Sequence, residues 1–508
     1  MVKVAEKIEG GEKGRAGIVT SPSVSLSLHF TGTPWFPLFY VAITTALLLV
    51  VFAQRTYDDP FITYRYAANL ARGVGFVYNL GQRVLSTTSP LFALVLSVPA
   101  HITLDIPLAA NVFGALCIAA GGWCLFDMAR AHDQPIAGWV ALLGYPSFSL
   151  LINTLGSEIP LYLLLCLGAL DALSLHKALY CAVWSALAVL TRPDGLLLVL
   201  VISAVGLIRL IKSSQPIIKW PTFIPWREVA IFVVITGAWT TFACLYFGTP
   251  IPLTLSAKQA QGSLPVSTLY LPGLAVMKND YLPGVYGVLV LSCILPGIAL
   301  LIWSEHHWLP LFLWITLYMG AYGILGVSRY FWYYSPLVPG LVVAMGLVVQ
   351  ALYDKATQVT WLAIPLAILI IGLLAGQALQ MLELAQHTDT RITTYKDIGE
   401  WLNRNTPAGA TVGALEVGEL GFYSQRTMVD FAGLLQPETA VVLRMTGSYD
   451  KASVWLLKHT PIEFLVIQQG SLPLLNKFAT ARGCAKVYAP AGLVPAWYVL
   501  RCPSQPLQ

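Results

Sequence analysis

Residues 54–73 read QRTYDDPFITYRYAANLARG and follow directly on the first long apolar run of the chain, residues 35–52. Asp58 and Asp59 stand side by side here, with Arg65 and Arg72 close behind, where a chain leaving a bilayer meets water. Aspartate at the N-cap and proline at the first helical position are a common helix start, and Pro60 fits it. One aspartate is enough for a cap. A second carboxylate near a low-dielectric boundary has its pKa raised toward neutrality and can take a proton from a hydroxyl. A cap, a general base and a metal site are therefore the readings of the pair. Gly73 and Gly75 end the helix that starts at the pair.

The rest of the composition agrees with a bilayer setting. Of 508 residues, 56% are hydrophobic and only 11% charged, with a mean hydropathy of +0.69, whereas soluble domains carry about 25% charged residues. The net charge of +5 is spread over loops between apolar runs, so it is a topology signal and not a nucleic-acid surface. Apolar runs at 35–53, 106–126, 136–152, 158–174, 177–191, 195–211, 229–246, 285–303, 309–326, 335–353 and 360–380 give about eleven spans. Arg209, Lys212, Lys219 and Arg227 share one loop, which the positive-inside rule places in the cytoplasm together with the basic N-terminal tail, residues 1–34. No small-residue cleavage pattern follows the first run, so it is read as a retained anchor. Counting spans in both directions from the basic loop agrees with an external Asp58–Asp59 loop (54–105) only if 89–104 lies along the outer surface without crossing. The reading is an α-helical polytopic plasma-membrane (inner-membrane) protein, with the membrane module at 35–382.

After about Thr390 the character changes. TYKDIGEWLNRN has helical spacing, ATVGALE and TMVDFAGL read as strands joined by GELGFYSQR, and SVWLLKH is helical. IEFLVIQ, CAKVYA and AWYVLRC are further strands, giving a soluble, extracytoplasmic α/β domain over 383–508. Cys484 and Cys502 can pair there if the compartment is oxidising, whereas Cys117, Cys124, Cys166, Cys181, Cys244 and Cys293 lie in apolar runs as small hydrophobes.

Further polar groups gather on the external side. RYFWYYSP brings Arg329, Tyr330, Trp332, Tyr333 and Tyr334, either an interfacial aromatic belt or a phosphate clamp beside a lipid or sugar channel. Arg192 and Asp194 in LTRPDG are a local ion pair at a helix break or part of a phosphate or sugar site. Lys258 is a solvated loop lysine or a site cation, and Glu158 a helix-start charge or a site residue. Tyr64, Arg72, Glu416 and Asp430 are candidate substrate contacts, although Glu416, Glu419 and Asp430 read first as surface or turn residues. No Walker A loop, HExxH or GxSxG pattern is present.

Taken together, DDPFITYRYAANLARGVGFVYNLGQRVLSTTSPL, LTRPDG, FGTPIPLTLSAK, RYFWYYSPLVP and VGELGFYSQRTMVDFAGL resemble the polytopic GT-C glycosyltransferases. The likeness is to the branch with the mycobacterial arabinofuranosyltransferases that cap arabinan and to polyprenyl-phosphate-sugar mannosyltransferase-like proteins. It implies an inverting transferase that uses a polyprenyl-phosphate sugar donor and a glycan, glycolipid or protein acceptor on the outer face. An acidic residue of the first external loop is then the base, Asp58 favoured with Asp59 as its partner. Arg329, Arg192, Lys258 and Arg65 are the candidate donor-phosphate cations. No cofactor is assigned, and a divalent cation at Asp58 and Asp59 stays open. A transporter or flippase of a lipid-linked or polar substrate is the rival reading.

Overall fold

The computed structural model describes residues 33–102, 105–212, 225–387, 389–491 and 495–503. The basic N-terminal stretch 1–32 and Lys219 lie outside the described residues. Helix α1 (Phe36–Phe52) leads into a loop that carries two short helices, α2 (Pro60–Ala71) and α3 (Pro90–His101). Pro60 opens α2 at its first position, and Gly73, at φ 72°, takes the left-handed turn just after it. The bundle continues with α4 (Ile106–Ala131), α5 (Pro135–Gly144), α6 (Ser149–Ile152), α7 (Ile159–Ser174), α8 (Ala178–Thr191), α9 (Gly195–Lys212) and α10 (Trp226–Phe247). Helices α11 (Leu253–Gly262) and α12 (Tyr270–Tyr281) precede α13 (Gly284–Trp303), α14 (Leu309–Leu325), α15 (Val338–Ala356) and α16 (Ala363–Gln386).

Seven helical segments among the described residues are long and apolar enough to cross a membrane, and five more are apolar but shorter. The chain is a multi-pass membrane protein. At 12 residues α3 reaches about 18 Å, too short for a hydrocarbon core of about 30 Å. The run 136–152, read from sequence as one span, is broken into α5 and α6 around Pro146.

The tail holds α17 (Thr390–Asn405), β1 (Thr411–Ala414), α18 (Glu419–Ser424), β2 (Thr427–Asp430), α19 (Pro437–Thr446) and α20 (Tyr449–His459). It ends with β3 (Phe464–Gln468), α21 (Pro473–Ala481), β4 (Ala485–Tyr488) and β5 (Trp497–Arg501). The five strands form one sheet in the order β2-β1-β3-β5-β4. β2, β1 and β3 run parallel, while β5 is antiparallel to β3 and β4. GELGFYSQR, read as a plain connection, carries the short helix α18, so β1-α18-β2 is a compact crossover.

The tail does not bury its core alone. Ile62, Tyr66, Phe76 and Tyr78 of the first loop share one buried apolar cluster with Ile398, Leu402, Val412 and Met428. Loop and tail domain therefore lose apolar surface to each other, and separating them re-exposes it to water.

Cys484 and Cys502 form a disulfide that closes an 18-residue separation where β4 and β5 meet. In the intact protein, reduction is expected to weaken this hairpin by about 3 kcal/mol, which speeds amide exchange in β4 and β5 roughly a hundredfold. Exchange followed with and without reductant checks this, and unchanged rates would show that the hairpin does not depend on the bond.

Candidate active site

One end of the bundle encloses a cavity of about 70 Å³ walled by Asp59, Glu158, Arg192, Lys258, Trp332 and Tyr333. Asp59 is delivered by the start of α2, and Lys258 by α11, which packs against the loop. Lys258 Nζ lies 3.2 Å from Asp59 Oδ2. The same nitrogen sits 3.7 Å from the Tyr330 ring centroid and 5.6 Å from that of Trp332. Burial works against the ammonium, but Asp59 and the Tyr330 and Tyr333 oxygens outweigh it and raise its pKa well above the ordinary lysine value. A charge held in so dry a place acts on its neighbours with little screening.

Arg192 follows α8 at the break before α9. Its Nη1 donates to Glu158 at 2.8 Å, its Nη2 to Asp194 at 2.9 Å and to the Tyr322 hydroxyl at 2.7 Å. Nε also donates to Asp194 at 3.1 Å, and the Tyr322 hydroxyl donates to Asp194 at 2.6 Å. Asp194 is thus more than a local ion partner: two carboxylates and a phenol use up the guanidinium. Of the two buried cations on the cavity, Lys258 has one carboxylate partner and Arg192 has two.

A wall of hydroxyls, Ser86, Thr87, Thr88 and Ser89, completes the cavity. Thr63 and Thr87 hydroxyls pair at 3.0 Å, Ser89 N donates to Thr87 Oγ1 at 3.1 Å, and the Thr254 hydroxyl donates to Ser86 O at 2.5 Å. Ser86 Oγ is buried without a partner among the described residues.

Asp58 points elsewhere. Its Oδ2 accepts from Gly418 N at 3.0 Å and its Oδ1 from Glu419 N at 2.8 Å, both in the tail domain. Neither aspartate caps α2 with its side chain, which corrects the cap reading. Burial, followed by the nearby Glu416 charge, pushes the Asp58 carboxyl up to about 8. Burial and then Asp59 push Glu416 up to about 7. Glu419, raised to about 9 by burial and then by Asp58, has one oxygen buried and unpartnered.

The surface reading of Glu419 and Asp430 is corrected, for their exposures are 2% and 0%. Asp430, at the end of β2, accepts from the backbone N–H groups of Ala432 at 2.7 Å, Leu435 at 3.1 Å, and Leu434. It thereby shapes the turn whose Leu434 reaches the cavity. Lys258 is 4% exposed, which corrects the solvated-loop reading.

Several other expected residues fall outside the cavity lining. Arg329 is exposed, while its backbone N donates to Thr268 O at 2.7 Å. Arg65 is buried over the Tyr78 ring and donates to Gly421 O at 2.8 Å and Arg426 O at 2.6 Å, so it ties the loop to the tail. Arg72 donates to Gln425 at 2.6 Å on an exposed groove. Tyr64 donates to Gly156 O at 2.5 Å, and Tyr334 to Tyr270 O at 2.7 Å. Tyr330 donates to Gln261 at 2.6 Å. Tyr333, named with the aromatic run, lines the cavity, whereas the sequence reading missed Tyr57, Tyr322 and the Ser86–Ser89 wall, although four successive hydroxyl residues before Pro90 in so apolar a chain were a visible signal. Among the described residues no group of three or more His, Cys, Asp or Glu is arranged to hold a metal ion.

A family model described as a domain of unknown function, DUF8728, matches residues 381–500. No match is found among curated proteins. Among solved structures, ArnT from Cupriavidus metallidurans bound to undecaprenyl phosphate is similar at TM-score 0.59 and 14% identity, over 91% of this chain and 97% of that one. Its apo form gives TM-score 0.60 and 13% identity, over 94% and 98%. The oligosaccharyltransferase of Archaeoglobus fulgidus, tethered to an acceptor peptide containing the NVT sequon, gives TM-score 0.56 and 12% identity, over 92% of this chain and 74% of that one. These structures are GT-C glycosyltransferases, and this chain has the GT-C fold over most of its length.

Replacing Arg192 by alanine leaves the largely covered Glu158 and Asp194 without their cation, which is expected to cost about 3 kcal/mol. Arg192→Lys, which keeps the charge but not the fork, should lose less. Thermal unfolding in detergent checks both, and equal stability of Arg192→Ala and wild type would contradict the buried ion network.

Proposed function

We propose that the chain is an inverting glycosyltransferase that moves a sugar from a polyprenyl-phosphate donor to an acceptor hydroxyl at the outer face of the membrane. The observation that carries this reading is the 3.2 Å pairing of Asp59 with the buried Lys258 in a cavity walled by hydroxyls and aromatic rings. Similarity to a structure holding undecaprenyl phosphate and to a transferase tethered to an acceptor peptide supports it. The N-terminal stretch is then cytoplasmic and the tail domain extracytoplasmic, consistent with Arg209 and Lys212 at the end of α9 and Arg227 at the start of α10.

Asp59 is the base and Lys258 the donor-phosphate cation. As the phosphate arrives it takes a share of the Lys258 charge, which frees the Asp59 oxygen for the acceptor hydroxyl. The hydroxyl oxygen attacks the anomeric carbon while its proton passes to Asp59, and the bond from that carbon to the phosphate oxygen breaks. Polyprenyl phosphate leaves as an anion that needs a positive neighbour more than a proton. One displacement inverts the anomeric configuration. Ser86 Oγ and the neighbouring hydroxyls suit hydrogen bonding to phosphate or sugar oxygens. Asp58 and Asp59 turn to different partners, Gly418 and Glu419 against Lys258, so a divalent ion held by both would require them to reorient.

Purified protein incubated with a panel of polyprenyl-phosphate sugars should release free polyprenyl phosphate and glycosylate an acceptor. No turnover of any donor would count against the reading. Asp59→Asn is expected to lower kcat/KM by about 100-fold or more, in the range of a lost general base. In the wild type, Asp58 and Glu416 hold their protons up to about 8 and about 7. Raising the pH through that window adds negative charge beside the reacting hydroxyl and favours loss of its proton. Transfer should therefore rise from pH 6 to 8, and a rate that is flat or falling over that range would contradict the assignment.

A further inference from the structure

The tail domain reaches the catalytic loop through an unusual number of specific contacts, concentrated in residues 417–428. Asp58 takes two backbone N–H groups from Gly418 and Glu419. Arg65 donates to the carbonyls of Gly421 and Arg426, and the Tyr78 hydroxyl donates to Val417 O. Asn79 both donates to Met428 O at 2.9 Å and accepts from Met428 N at 2.9 Å, so the loop side chain caps the free edge of β2 as a neighbouring strand would. Two glycines permit this approach. A Cβ on Gly418 would overlap the Asp58 carbonyl, and a Cβ on Gly421 would overlap the Tyr78 hydroxyl. These groups are backbone or held side chains, so neither can step aside cheaply.

We infer that the domain over residues 381–500 serves as a clamp for the catalytic loop: its 417–428 segment fixes Asp58, and through Asp58 the orientation of the adjoining Asp59. Asp58 is on this account a positioning residue. The inference rests on the proposed base role of Asp59 and gives the tail domain a task within the transfer reaction. The geometry favours it over simple attachment, since a domain that only needed anchoring would not spend two N–H groups on the carboxylate next to the cavity. α2 begins directly after the pair, so any movement of Asp58 turns the peptide that carries Asp59.

The test is a graded series in the full-length protein: Tyr78→Phe, Arg65→Lys and Gly418→Ala. Each is compared for amide exchange of residues 56–66 and for transfer normalised to the folded fraction. Loop exchange should increase and kcat fall together along the series, with Gly418→Ala losing at least 10-fold in kcat while the donor KM stays within about threefold. The acidic limb of the pH profile should also move up in Gly418→Ala. Losing its two N–H bonds favours the protonated form of Asp58, which shares its surroundings with Asp59, Glu416, Glu419 and Lys258. A smaller folded fraction would not move that limb. Wild-type kcat and an unmoved limb in variants whose loop exchange has risen would overturn the clamp and leave the transferase reading intact. If Gly418→Ala does not fold, Tyr78→Phe and Arg65→Lys decide the matter by the same two readouts. If wild type transfers no sugar, the reading of the reaction fails, and unchanged loop exchange across the series would refute the clamp separately.

Discussion

A carboxylate withdrawn from water must find donors, and Asp58 finds two backbone N–H groups on a different part of the chain, 360 and 361 residues away. A buried carboxyl group left without hydrogen-bond partners would cost about 1–3 kcal/mol. That constraint sets the rest of the arrangement. Loop and tail meet so closely there that a Cβ on residue 418 would overlap the Asp58 carbonyl and one on residue 421 the Tyr78 hydroxyl. The shared apolar cluster of Ile62, Tyr66 and Tyr78 with Val412 and Met428 adds undirected attraction, while the N–H groups supply the register.

The charges around the cavity follow a related logic. Arg192 is enclosed by Glu158, Asp194 and Tyr322, a closed set that stays put. Lys258 has one carboxylate partner and two aromatic faces, a looser set in which an incoming anion can take part. A buried pair is a weak source of stability because desolvation offsets most of the attraction. What the Lys258–Asp59 pair supplies is a poised cation: the Asp59 carboxylate at 3.2 Å favours the charged form of Lys258 until a ligand competes for it.

Much of this was legible in the sequence. The apolar runs located the bundle helices, and the short apolar stretches in IEFLVIQ and AWYVLRC located β3 and β5. Asp58, Asp59, Arg192, Asp194, Glu158 and Lys258 were all named as candidates, and five of these six belong to the cavity or its ion network. What the sequence could not give is which neighbour each charge finds. Arg65, seven residues beyond Asp58, looks like a local partner for it, yet α2 turns it toward Gly421 and Arg426. Arg329 sits next to the aromatic run but faces outward, because its backbone pairs with Thr268 across a short bridge that fixes the chain there. Glu419 and Asp430 look like ordinary surface acids until tertiary packing covers them. Long-range pairing of this kind leaves no periodic trace.

The aromatic wall extends the same dependence to the opposite side of the cavity. Tyr57 stacks on Trp332 at 5.1 Å, and Trp332 stacks on Tyr330 at 4.7 Å, so three rings form a continuous rigid panel. The ring faces are apolar, and the Tyr330 hydroxyl is occupied by Gln261. The panel is aligned by hydrogen bonds that run back to the tail: the Tyr330 hydroxyl donates to Gln261 Oε1 at 2.6 Å, and Gln261 Nε2 donates to Ala432 O at 2.9 Å. Ala432 N in turn is held by the buried Asp430. The acid side of the cavity is fixed by Gly418 and Glu419 and the aromatic side by Ala432, all within 15 residues of one sequence segment. The tail domain thus reaches two groups bordering the cavity lining: Asp58, next to Asp59, and Gln261, which holds the Tyr330 ring stacked on Trp332.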